Sequence, residues 1–190
     1  MRLIAVGLLA TALLGSLAGC PKGASIDEGP PMFALRVNCG AEKDYVDKDG
    51  VKWLADRVLQ GDAKWGAIDG LTVRRKDLTL PQSRREDVYL TERYSAEGYR
   101  FSVDNGTYTV RLHFAETYPP HKKEGLRLFT VKINGQPKLV DFDPFKAAGG
   151  FAKPVVQEFK DVAVTDGKLK IEFARNVQNP EINGIEILRW

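Results

Sequence analysis

Apolar and polar residues alternate along short stretches of this chain, and a period of two is typical of β-strands. The clearest case is the segment 104–118, which opens with an Asn105-Gly106 turn. Its apolar residues share one face of an extended chain: Tyr108, Val110, Leu112 and Phe114. That face is predicted to lie in the core. The segment is predicted to leave its sheet at Tyr118, because Pro119 and Pro120 cannot continue a ladder of hydrogen bonds.

Turn signals separate these stretches at short intervals, as in proteins built from antiparallel strands. Three two-residue turns are predicted to close hairpins between their flanking strands: Asn105-Gly106, Asn134-Gly135 and Asp166-Gly167. The other predicted strands are 33–39, 51–54, 87–94 and 182–188. Residues 55–85 lack a regular period and are predicted to form a long, ordered connection. Helix is predicted to be minor, and the fold class is all-β, an antiparallel β-sandwich or jelly roll.

The first twenty residues differ from the rest of the chain. An uninterrupted weakly polar stretch follows Arg2 and ends in Leu17-Ala18-Gly19-Cys20. Residues 1–19 are therefore predicted to be a cleavable export signal and not a membrane span. The ending resembles the lipobox of bacterial lipoproteins, which implies a lipid on Cys20 that holds the protein to a membrane. Pro21 favours the outer membrane, because an aspartate there would signal inner-membrane retention in some bacteria.

The remaining chain is predicted to consist of a short tether and one domain. Residues 20–32 are rich in Gly, Pro and charge, which is typical of a flexible tether. Residues 33–190 have an ordinary length for one domain and are enough to bury a core.

Charge along the chain gives no sign of a polyanionic partner. There are 28 basic and 25 acidic residues, and Arg2 is the only charged residue of the signal, so 27 basic residues remain after it. No nucleic acid partner is predicted from this balance. The basic clusters 74–76 and 84–85 are interpreted as a solvated loop face. Glu92 and Arg93 leave opposite faces of an extended segment, so one of them is predicted to point inward to a buried ion pair or to backbone carbonyls.

Catalytic and metal-binding patterns find little support. His113 and Glu116 lie three positions apart, so their side chains leave opposite faces of a strand, and His121 lies on a loop after two prolines. These three residues are therefore not expected to form a metal site. Asp141 and Asp143 lack the further oxygen ligands that calcium needs. No pair of opposed carboxylates suited to glycoside hydrolysis is apparent. The chain is therefore expected not to be an enzyme and to use no cofactor or metal.

Aromatic and amide side chains at predicted loop and strand-end positions suit a saccharide. Aromatic rings pack against the C–H faces of sugars, and amides form hydrogen bonds with hydroxyl groups. The candidate contacts are Trp65, Tyr94, Tyr118, Gln178 and Asn179. For each ring taken singly, core packing is the favoured alternative, because aromatic residues in β proteins lie mostly in the core.

Taken in order along the chain, the motifs resemble the malectin domain. They include Val37-Asn38-Cys39-Gly40, Thr91-Glu92-Arg93-Tyr94, His113-Phe114-Ala115-Glu116 and Asn179-Pro180, within a similarity that extends over residues 35–188. The resemblance implies a β-sandwich that binds carbohydrate through aromatic residues and one aspartate, on loops at one end. It implies sugar contacts at Tyr94 and Tyr118, and at Trp65 as the aromatic residue before a glycine in the long early loop.

Two positions depart from the malectin pattern. Pro119 replaces an aromatic ring, and Gln178 replaces the aspartate before Asn-Pro. Both changes leave the sugar preference open. The expected function is membrane-anchored, non-catalytic recognition of glucose-type or related oligosaccharides. The alternative is a structural or adhesion sandwich that binds a cell-envelope protein without sugar.

Overall fold

The computed structural model describes residues 29–190; the predicted export signal, Cys20 and most of the predicted tether lie outside the described residues. The described residues form fourteen strands and two short helices. The strands are β1 (Phe33–Asn38), β2 (Tyr45–Val46), β3 (Lys52–Ala55), β4 (Trp65–Ile68), β5 (Leu71–Arg74), β6 (Thr91–Tyr94), β7 (Gly98–Ser102), β8 (Gly106–Phe114), β9 (Leu128–Ile133), β10 (Gln136–Phe142), β11 (Val155–Val164), β12 (Lys168–Val177), β13 (Glu181–Ile182) and β14 (Gly184–Arg189). The helices are α1 (Glu86–Leu90) and α2 (Pro144–Ala148). Over this range, no helix combines the length and apolar character needed to cross a membrane.

Two large sheets form the body of the domain. The six-stranded sheet has the order β11-β8-β14-β1-β3-β2, and the five-stranded sheet has the order β10-β9-β12-β7-β4. Pairing within them is antiparallel except between β1 and β3. Apolar side chains of both sheets form one cluster, and the core face predicted for β8 belongs to it, with all four residues at most 2% exposed. The all-β antiparallel sandwich is therefore confirmed.

A third, small sheet lies at one end of the sandwich. It has the order β13-β6-β5, with Tyr94 of β6 opposite Leu71 of β5 and Glu181 of β13. Its strand β5 falls in the segment 55–85, which was predicted to be irregular, as does β4. That prediction is wrong in these two places. Edge strands of four residues are too short to show a convincing period in the sequence.

Only one of the three predicted hairpins forms. Strands β9 and β10 pair around Asn134-Gly135, with Gln136 opposite Ile133. Asn105-Gly106 and Asp166-Gly167 instead connect strands of different sheets, β7 to β8 and β11 to β12. The two connections touch, since Gly167 N donates to Asn105 Oδ1 at 2.8 Å. Consecutive strands here pack face to face across the core, although the turn residues are those of a hairpin.

Polar side chains cover the face of β8 that points away from the main core, and these side chains form a layer that is itself buried. Helix α1 occupies the first half of the stretch 87–94, which was predicted to be strand throughout, and it brings Tyr89 against His113 of β8. Burial lowers the pKa of His113, so the neutral ring accepts from Tyr89 Oη at Nδ1 (2.8 Å) and donates from Nε2 to Glu186 Oε1 (2.9 Å). Glu186 also pairs with Arg36 at 2.8 Å. Every member of this layer therefore has a partner, as burial of polar groups requires.

Candidate functional site

The small sheet and the segments that follow β8 and β12 surround an open cavity of about 250 Å³. This volume lies just below the range of about 300–1,000 Å³ that is usual for drug-sized ligands, so it suits one or two sugar rings. Its walls come from β5, β6, the exit of β8, the start of β9 and the turn after β12. The lining residues are Val73, Arg75, Glu92, Tyr94, Tyr118, His121, Arg127, Gln178 and Asn179.

Tyr118 presents the exposed aromatic surface of the cavity, with 41% of the residue accessible to solvent. The ring of His121 meets it edge-on, with the centroids 4.8 Å apart, and His121 N donates to the Tyr118 carbonyl at 2.8 Å. The guanidinium carbon of Arg75 lies 5.7 Å from the Tyr118 ring centroid. Neighbours on two sides hold the ring in place while its exposed part stays open to a ligand.

Tyr94 and the amide pair meet across the end of β6. After Tyr94 the chain turns at Ser95, whose φ is 59° and whose N–H donates to the Pro180 carbonyl at 3.0 Å. Gln178 also has a left-handed backbone, with φ of 61°. Such conformations are uncommon for residues other than glycine and are often found at binding sites. The contact between the two turns brings Tyr94 beside Gln178 and Asn179.

The first of two ion pairs at the base of the cavity joins Arg75 to Glu92. Arg75 Nη2 lies 2.7 Å from Glu92 Oε1, and Thr117 Oγ1 donates to Glu92 Oε2 at 2.7 Å. The interpretation of cluster 74–76 as a solvated loop face is therefore wrong for Arg75, because Glu92 draws it into a mostly buried position. Arg93 is buried too, with Nε 2.7 Å from Asp56 Oδ2, so both Glu92 and Arg93 point into ion pairs where one was predicted.

The second ion pair joins Arg127 to Glu116 and connects both sides of the cavity. Arg127 Nε donates to Glu116 Oε2 at 2.7 Å, and Arg127 Nη1 donates to the carbonyl of Asn179. Glu116 Oε1 also accepts from Tyr118 N at 3.0 Å. Glu116 thus fixes the tyrosine segment directly and the amide turn through Arg127.

A further carboxyl group, Glu181, is buried close to these pairs and is 1% exposed. Neither of its oxygens has a hydrogen-bond partner among residues 29–190. Burial, together with the negative charges of Glu92 and Glu116, raises its pKa well above the usual value, although Arg127 and Arg75 oppose the shift. These surroundings therefore favour the neutral form of Glu181.

Trp65 does not line the cavity, which corrects the expectation that it joins the other candidate contacts. It is only 4% exposed, and its ring stacks on Phe101 with the centroids 6.2 Å apart. Arg57 covers the ring, with its guanidinium carbon 3.9 Å from the centroid. The cause is the pairing of β4 with β7, which puts Trp65 opposite Phe101 in the core. Tyr94, Tyr118, Gln178 and Asn179 share the cavity, and Cys20 lies outside the described residues.

Five lining residues were not predicted: Val73, Arg75, Glu92, His121 and Arg127. Arginine and glutamate normally indicate solvent exposure in a sequence, and their partners here are distant along the chain. Glu92 had the only usable signal, because it belongs to the Thr-Glu-Arg-Tyr motif that also carries Tyr94.

Comparison with protein families gives a direct assignment. Residues 33–185 match the family model of the malectin domain. The chain belongs to the malectin domain family. A probable receptor-like protein kinase of Arabidopsis thaliana is 33% identical over 151 residues, which are 70% of this chain and 17% of that kinase. The malectin domain thus spans less than a fifth of this curated relative.

Solved structures share the fold of this malectin domain. A chain of the plant receptor-like kinase FER superposes with a TM-score of 0.66 at 22% identity, covering 80% of this chain and 48% of that one. A structure of the plant peptide RALF23 in complex with FER and LLG2 contains a chain with a TM-score of 0.64 at 22% identity, covering 80% and 47%. Other matches include the ANX1 and ANX2 ectodomains of Arabidopsis thaliana.

One structural match corrects the expectation that the chain is not an enzyme. A β-glucuronidase of Bacteroides uniformis superposes with a TM-score of 0.74 at 21% identity, covering 83% of this chain and 18% of the glucuronidase. Part of an enzyme therefore has this fold. Because the identity is low, the match concerns the fold alone, and the malectin fold does not separate catalytic from other proteins.

Proposed function

We propose that this malectin domain binds a glucose-type or related oligosaccharide in the cavity formed by Tyr94, Tyr118, Gln178 and Asn179. One observation carries the proposal: these residues come from three distant parts of the chain and line one open cavity. A pyranose ring packs its C–H face on Tyr118. The amides of Gln178 and Asn179 form hydrogen bonds with its hydroxyl groups.

The proposed binding is weak, with a dissociation constant on the order of micromolar to millimolar. One exposed ring and a small cavity give few buried contacts, while the cost of association remains. Pro119, which stands where the malectin pattern has a second aromatic ring, is expected to weaken binding further.

The proposal includes attachment to a membrane by a lipid on Cys20, in an exported protein of the outer membrane. The position of β1 supports a particular orientation. Phe33, where β1 begins, pairs with Arg189, and Leu188 pairs with Thr109 near the start of β8. The cavity lies beyond the other end of β8, at Phe114, roughly 20 Å farther along the strand for six extended residues. This supports an orientation in which the cavity opens away from the membrane.

A protein or peptide ligand is the second candidate. It is favoured by the departures at Pro119 and Gln178, and by the peptide RALF23 in the structure that contains a chain of similar fold. Binding of a cell-envelope protein with no response to any glycan would select this candidate.

A glycan array tests the main proposal. The full mature chain is applied in a detergent without a sugar headgroup, so that the detergent cannot occupy the cavity. Tyr118→Ala is compared with Val140→Ala, because Val140 is 67% exposed on β10 and does not line the cavity. Glycan binding that Tyr118→Ala abolishes and Val140→Ala leaves unchanged supports the proposal. Equal binding by both variants, in folded protein, contradicts it.

A further inference from the structure

The hydrogen-bonding groups left unused at the cavity are unevenly divided between donors and acceptors. Arg75 uses Nη2 on Glu92 Oε1 at 2.7 Å and Nε on Thr117 Oγ1 at 3.2 Å. Among residues 29–190, its Nη1 has no partner, and its side chain lines the cavity beside the Tyr118 ring. Two N–H groups on Nη1 are therefore available for a ligand.

The carboxylates near the cavity are withdrawn from a ligand. Glu92 is 2% exposed, and each of its oxygens already accepts a hydrogen bond, from Arg75 and from Thr117. Glu116 lies behind Arg127 and does not line the cavity. Glu181 is 1% exposed and does not line the cavity, and burial raises its pKa, which disfavours the charged form.

The remaining polar groups of the lining add no negative charge. Gln178 and Asn179 are neutral amides, and Arg127 is a second cation whose Nε and Nη2 are held by Glu116. His121 lines the wall next to Tyr118, with Nδ1 facing Glu116 Oε2 at 3.4 Å. A ligand on Tyr118 thus meets two arginines and one nearly inaccessible carboxylate. That environment favours a ligand that brings an acceptor and a negative charge.

We propose that the preferred ligand is an acidic saccharide, whose sugar ring packs on Tyr118 and whose carboxylate accepts hydrogen bonds from Arg75. Guanidinium and carboxylate groups match in planar geometry, and charged hydrogen bonds of this kind are stronger than neutral ones. The 5.7 Å between the Arg75 guanidinium carbon and the Tyr118 centroid suits one ligand that touches both. This inference rests on the proposed saccharide function and specifies its ligand class.

The test uses an array that pairs each neutral oligosaccharide with its uronic acid counterpart of equal length and linkage. The full mature chain is compared with Arg75→Gln, Arg75→Lys and Tyr118→Ala, at low and high salt. Arg75→Gln removes the partner of the buried Glu92, so the double variant Arg75→Gln/Glu92→Gln provides a form without an unpaired buried charge. Thermal unfolding of every variant shows which proteins are folded.

We expect wild-type protein to bind the uronic acid member of a pair at least tenfold more tightly, and high salt to reduce this preference. Arg75→Gln and the double variant should lose the preference, and Arg75→Lys should keep part of it. Tyr118→Ala should weaken binding of both members. Preference for neutral members, or an unchanged acidic preference in the folded double variant, overturns the acidic ligand and leaves saccharide binding intact. No binding to any member of the array overturns both.

Discussion

Replacing Glu116 by glutamine should lower the free energy of unfolding by about 3 kcal/mol. The glutamine keeps the shape of the side chain, but it removes the charge that balances Arg127 and one of the two oxygens that accept from Arg127. The Arg127 side chain is 6% exposed, so water cannot replace the lost partner. Breaking a buried ion pair costs about 3–5 kcal/mol, and the lower value applies because the amide oxygen remains an acceptor.

Glu181 should partly compensate in this variant. Burial is the main cause of its raised pKa, and the charges of Glu92 and Glu116 add to it. Without the charge of Glu116, Glu181 ionises at a lower pH and can balance Arg127. The stability lost in Glu116→Gln should therefore shrink as the pH rises and Glu181 ionises.

Urea unfolding followed by tryptophan fluorescence measures the effect. The matched control is Glu158→Gln, because Glu158 pairs with Arg111 at 2.6 Å while both side chains are 33% exposed. Exposed pairs contribute about 0–1 kcal/mol, so the control should change stability little. A Glu116→Gln variant whose stability matches that of Glu158→Gln would refute the role given to Glu116.

Three other predictions concern the body of the fold. Gly40→Ala should cost more than the backbone strain of a left-handed residue, which is about 1–3 kcal/mol, because φ is +83° and a Cβ would also lie 2.3 Å from the Glu92 carbonyl oxygen; Gly50→Ala, with φ of +76° and open space, should cost only that backbone strain in the same urea assay. Burial opposes ionisation of Glu186, but its hydrogen bonds to His113 and Arg36 lower the pKa from 4.5 to about 2. Its contribution to stability is thus present above pH 4.5 and lost as the pH falls towards 2. In Glu186→Gln, the free energy of unfolding should therefore depend less on pH between 4.5 and 2. Cys39 is buried, which raises its thiol pKa, so a thiol reagent at neutral pH should modify it only after urea unfolds the domain; rapid reaction in the native state would contradict its burial.

Most strands could be predicted from the sequence, but the strands with which they pair could not. Period-two patterns identified the core face of β8 because alternation is a local property of the chain. The same local signals could not distinguish Asn134-Gly135, which closes a hairpin, from Asn105-Gly106, which crosses between sheets. That difference depends on which sheet each strand joins. Helix α1 was missed because five residues are too few for a helical period, and its position depends on contacts with His113.

The candidate site was predictable only in part, for a similar reason. Tyr118 stood out because two prolines end its strand, and Tyr94 because of its motif. Trp65 carried the same kind of signal but entered the core, since β4 pairs with β7. Arg75 and Arg127 gave no signal, because their burial depends on partners that only the fold brings to them, Glu92 for Arg75 and both Glu116 and Asn179 for Arg127.

The most direct test of the account follows the aromatic rings by nuclear magnetic resonance while a glycan selected on the array is added. Tyr94 and Tyr118 line the cavity, whereas Tyr108 and Trp65 are buried in the core. Saccharide binding at this cavity predicts saturable shifts of the Tyr94 and Tyr118 ring signals, with Tyr108 and Trp65 unmoved. Saturable shifts confined to other surfaces, with Tyr94 and Tyr118 unchanged, would contradict it.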